Sequence, residues 1–65
     1  MNLKTLGNEC REFRKEMGYK QYEVAREIGT SSVNVSHFEN GRNDSALIYN
    51  WYVMHGFVVG EWGID

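Results

Sequence analysis

A chain of 65 residues reads as one domain, since a domain of this size buries only about 60% of its unfolded surface and has no material for a second core. Its one cysteine excludes an internal disulfide, and Cys10 with two histidines falls short of a zinc ligand set, so helix packing must supply the stability. A formal charge of −2 at pH 7 has the wrong sign for a surface that meets phosphates everywhere, and it confines any nucleic-acid contact to a local face.

The start, Met1-Asn2-Leu3-Lys4-Thr5, lacks the basic stretch and apolar run of a secretory signal, so a cytoplasmic protein with a reduced thiol is expected. Leu3, Leu6, Cys10, Phe13 and Met17 then recur at alternating steps of three and four, which sets them on one stripe of a first helix. Gly18 closes it. Val24, Ala25 and Ile28 predict a second helix of about two turns ending at Gly29, too short to form without neighbours. Thr30, Ser31 and Ser32 favour the cap of a third helix carrying Val33, Val35 and Phe38, terminated by Asn40-Gly41. Arg42, Asn43 and Asp44 read as a polar loop.

Asp44 or Ser45 caps a fourth helix running to about Met54 and ended by Gly56, with Leu47, Ile48, Trp51 and Met54 on its core side. Its other side, with Tyr49, Tyr52 and Val53, is unusually apolar, and this implies a second buried surface. Asn50, His55, Gly56 and Glu61 interrupt residues 46–62, which therefore do not read as a membrane span. The tail, Phe57 to Trp62, adds at most a short turn or helix. Cys10 on the first helix's apolar stripe reads as a buried structural thiol, and His55 as a favourable cation at a helix end. No glycine-rich phosphate loop, metal cluster or paired acid and base is present, so neither an enzyme, a cofactor nor a metal is expected.

Gln21, Ala25, Gly29, Val35 and Phe38 form a spaced set with distinct geometric tasks. Ala25 is small where two short helices cross, Gly29 accepts positive φ in a sharp turn, and Val35 and Phe38 plug the third helix onto the core. With Arg14-Lys15-Glu16-Met17-Gly18-Tyr19-Lys20-Gln21 before it and Glu39-Asn40-Gly41-Arg42 after it, residues 6–62 resemble the Cro and lambda-type repressor family of helix-turn-helix proteins. Gly56-Phe57-Val58-Val59-Gly60-Glu61-Trp62 is similar to that family's last short helix. The resemblance implies an all-α, compact bundle of about five short helices, with a helix-turn-helix unit at about residues 21–40.

It also implies roles. Ser32, Val33 and His37 occupy the positions from which the family reads base edges in the major groove. Phosphate contacts would come from Lys20, Gln21, Asn34, Ser36, Asn40, Arg42 and Asn43. Lys20 stands where the family usually has a Ser or Thr cap, and it brings a positive charge to the DNA backbone. Arg14 and Glu39 match a pair that joins the first helix to the end of the third. The expected function is that of a phage or prophage-type repressor, nucleoid-associated when bound to a palindromic operator in double-stranded DNA.

The apolar far side of the fourth helix, with family habit, points to a homodimer through Tyr49, Tyr52, Val53 and Trp62. The acidic balance keeps a second reading open: a module with the same fold that grips another regulatory protein as an antirepressor or inhibitor, without DNA. Glu9, Glu12, Glu16, Glu23 and Glu27 cluster on the first two helices, and the reading edge has no Lys or Arg.

Overall fold

Asn2 opens the first helix: its side-chain oxygen accepts the Thr5 amide at 2.8 Å, satisfying one of the donors a helix start leaves free. In the computed structural model, which describes residues 2–58, four helices follow. They are α1 (Leu3–Glu16), α2 (Gln21–Ile28), α3 (Ser32–Glu39) and α4 (Ala46–Met54). The described residues contain no strand. The expected count of about five is thus four among them, because Phe57 and Val58 lie outside any helix. Val59 to Trp62, the rest of the expected last helix, lie outside the described residues. No described helix is long and apolar enough to cross a membrane.

Each helix start has its own capping chemistry. Lys20 precedes α2 and has no side-chain acceptor, so the bond runs the other way: Glu23 accepts the Lys20 backbone amide at 2.8 Å. Ser31 Oγ accepts the Asn34 amide at 3.2 Å at the head of α3. Of the two candidates for α4, Ser45 is the cap, taking the Ile48 amide at 3.3 Å. Gly29 closes α2 with φ of 90°, the left-handed turn that lets α3 leave at a sharp angle.

The core is built from Cys10, Val24, Ala25, Val35, Phe38, Ile48, Trp51, Tyr52 and Phe57, all buried. Leu6, Phe13, Met17, Tyr19, Ile28 and Tyr49 are half-buried around them. Burial pushes the Cys10 thiol up to about 12, and the charges of Glu39 and Glu9 add to the effect, so this cysteine packs and does not react.

On α4 the structure redraws the expected faces. Ile48 and Trp51 point inward as expected, but Leu47 and Met54 are 63% and 76% exposed. Tyr52, expected at a dimer contact, is fully buried and stacks against Phe38 with ring centroids 6.0 Å apart. A helix apolar all round gives no periodic signal for which stripe faces the core. His55 sits at the end of α4 as expected, its ring stacked on Trp51 at 3.9 Å and its Nδ1 2.8 Å from the Trp51 carbonyl oxygen.

One contact fixes how α1 crosses α3. Gly7, in the middle of α1, is buried, and a Cβ there would lie 2.4 Å from the Phe38 carbonyl oxygen and 2.6 Å from that of Glu39. Glycine in a helix interior costs about 1 kcal/mol relative to alanine, so it is kept here because only a bare Cα permits this approach. Gly7→Ala should cost about 3 kcal/mol by overpacking. Gly29→Ala, which meets open space, should cost only about 1 kcal/mol of left-handed strain. Urea unfolding of both variants checks this order, and equal losses would contradict the close crossing.

Candidate nucleic-acid interface

Glu39 ends α3, where the negative pole of the helix disfavours a carboxylate, and it is 1% exposed. Such a charge persists only if fully paired. Its Oε2 accepts Arg14 Nε at 2.7 Å and the Tyr52 hydroxyl; its Oε1 accepts Arg14 Nη2 at 3.1 Å and Gln21 Nε2 at 3.0 Å. Those bonds fill the roughly four acceptor sites of a carboxylate. They come from α1, α2 and α4, so one side chain of α3 ties all four helices together. Arg14 also donates Nη1 to the Tyr19 carbonyl at 2.9 Å, which pins the segment between α1 and α2.

Burial alone would lower the Arg14 pKa, but the hydrogen bonds and charge of Glu39 hold it above its ordinary value. Burial, and then the bond to Glu39, hold the Tyr52 hydroxyl far above the usual tyrosine range, so it stays a donor.

With its far end locked inward, α3 presents its other side to solvent. Val35 and Phe38 are buried, while Ser32, Val33 and His37 are all exposed, Val33 by 57%. Val33 and His37 are four residues apart and Ser32 adjoins Val33, so the three share one edge one helical turn long. A valine left in solvent has no part in the core and is free to meet an apolar group.

The polar residues around this edge divide into those already engaged and those facing outward. Gln21 turns its amide inward onto Glu39, so what it offers outside is the backbone at the open start of α2. Asn34 donates to Thr30 Oγ1 at 2.8 Å, and Asn40 donates to the Ser36 carbonyl at 2.8 Å, which stiffens both ends of the helix. Asn43 accepts the Ser45 amide at 3.3 Å and shapes the loop toward α4. Lys20 and Arg42 are exposed, and Ser36 is half-buried. The bond from Gln21 to Glu39 brings the start of α2 to the end of α3.

A family model described as helix-turn-helix matches residues 11–47, more than half of the chain. The chain belongs to this helix-turn-helix family. No curated protein and no solved structure gives a significant match. The matched helix-turn-helix segment covers the C-terminal part of α1, then α2, the Gly29 turn, α3 and the loop into α4, and it accords with the resemblance to Cro and lambda-type repressors. This is a family of DNA-binding regulators and not one of enzymes.

Arg14 and Glu39 are bonded to each other, but two further partners of Glu39 carry no signal in the sequence. Gln21 and Tyr52 stand far from Glu39 along the chain, and neither has a local signature of a buried acceptor. Of the expected dimer residues, Tyr49 is half-buried, Val53 is exposed, Tyr52 is withdrawn into the core, and Trp62 lies outside the described residues. Glu39→Ala strands a guanidinium whose side chain is only 8% exposed, so it should destabilise the protein by about 3–5 kcal/mol in urea unfolding. A loss below about 1 kcal/mol, typical of a surface ion pair, would contradict the role given to this cluster.

Proposed function

We propose that the protein is a sequence-specific transcriptional regulator, of the phage or prophage repressor type, that binds a near-palindromic operator as a dimer. The observation that carries this reading is the exposed edge of Ser32, Val33 and His37 on a helix whose opposite side and far end are locked into the core. A major groove about 12 Å wide admits an α-helix, and a helix held at its back can enter it without losing its orientation. Ser32 donates to or accepts from a base, Val33 packs on a thymine methyl, and His37 hydrogen-bonds a purine edge.

None of the three makes the bidentate arginine contact to guanine, so specificity is modest for one protomer. Lys20, Arg42, Asn34, Ser36, Asn40, Asn43 and the backbone amide of Gln21 set the register on the phosphates.

Two copies supply the missing affinity. Half-sites one turn apart place reading helices about 34 Å from each other, a spacing close to the 32 Å longest dimension of the protein's described part. Leu47, Val53 and Met54, the apolar side chains that α4 leaves in solvent, with Tyr49 beside them, suit a contact between the copies. Occupancy of a promoter by the pair then excludes other proteins from it, which is repression.

Selection of bound sequences from random DNA tests this reading. Wild type should enrich two inverted half-sites about 10 base pairs apart. His37→Ala should relax the preference at one position of each half-site, by about 1–3 kcal/mol of discrimination, and leave the other positions unchanged. If no sequence is enriched, operator reading is lost.

A further inference from the structure

The family match begins at residue 11, yet the crossing of α1 over α3 carries an earlier residue to the end of the reading helix. One turn before Gly7, Lys4 packs its backbone on Gly41: a Cβ at position 41 would fall 2.5 Å from Lys4 Cα and 3.0 Å from Lys4 Cβ. Lys4 is exposed. Arg42, the next residue, is exposed too, and its backbone is fixed by a bond from its amide to the His37 carbonyl at 2.8 Å.

The acids do not follow. Residues 2–8 and 40–43 contain Lys4 and Arg42 and no Asp or Glu. Glu39 beneath them is neutralised by Arg14, and Asp44 comes only after the turn. Two exposed cations, Lys4 and Arg42, from separate parts of the chain, therefore flank one backbone contact at the end of α3 in a protein whose overall charge is negative.

We infer that Lys4 extends the DNA-binding surface beyond the helix-turn-helix unit, contacting the backbone phosphate next to the one held by Arg42. This rests on the operator-binding reading above. A cation in this place contacts no base, so it strengthens binding to every sequence and makes it more sensitive to salt. It also bears on the charge of the chain, because the phosphates meet Lys4 and Arg42 in two stretches, residues 2–8 and 40–43, that hold no acid.

The test is the salt dependence of binding to a random-sequence duplex of about 20 base pairs, between about 50 and 200 mM salt. Lys4→Gln should make the slope of log affinity against log salt shallower by about 0.9 for each protomer bound, the value for one released phosphate contact. Lys4→Arg should restore the slope, and the melting temperature should not move in either variant because the side chain is exposed. An unchanged slope in Lys4→Gln, with a shallower one in Arg42→Gln, overturns the inference and leaves operator binding intact. Wild type that shows no salt-dependent binding overturns both.

Discussion

The buried carboxylate of Glu39 is the constraint on which the rest depends. A charge at the negative end of α3, sealed from water, is unfavourable by position and by burial, and it is tolerated because four donors converge on it. Each donor comes from an element that would otherwise be free to slide. Arg14 sets the exit of α1, Gln21 the entry of α2, and Tyr52 the rotation of α4. A small core of this kind defines its interior loosely with apolar contacts alone, whereas a saturated polar cluster accepts only one arrangement of the helices.

That arrangement decides what α3 shows to solvent. The side that carries Val35 and Phe38 is plugged into the core, and the end that carries Glu39 is tied down, which leaves Ser32, Val33 and His37 together on the open edge. The same crossing that needs Gly7 brings the first turn of α1 against Gly41. Fold stability and the placement of charge thus come from one set of contacts. A chain that is acidic overall still brings Lys4 beside Gly41 and Arg42 at one end of α3.

Much of this was legible in the sequence, and the parts that were not have physical reasons. Val24, Ala25, Gly29, Val35 and Phe38 declared the two short helices and the turn through spacing, because a tight crossing leaves little choice of residue. The capping stretches Thr30-Ser31-Ser32 and Asp44-Ser45 were visible for the same local reason, and the structure selects Ser31 and Ser45 from them. On α4 periodicity failed: with apolar residues on every side, nothing along the chain tells that Tyr52 turns in to Glu39 and that Leu47 and Met54 turn out. Gly7 lacked any local sign of its task, since a glycine within a helix reads as a weakness until its neighbour across the crossing is known. Lys4 is a surface lysine in the sequence, and only the path of α1 places it beside Arg42.

The most direct test of the account follows the backbone amide resonances during titration with a DNA duplex. If the Glu39 cluster holds α3 so that its open edge meets the groove, the largest shifts fall on Ser32, Val33 and His37, with Gly41 and Arg42 at the end of the helix. The amides of Ile48 and Trp51, on the inner side of α4, stay in place. Shifts concentrated on α4 while the edge of α3 remains silent would contradict it.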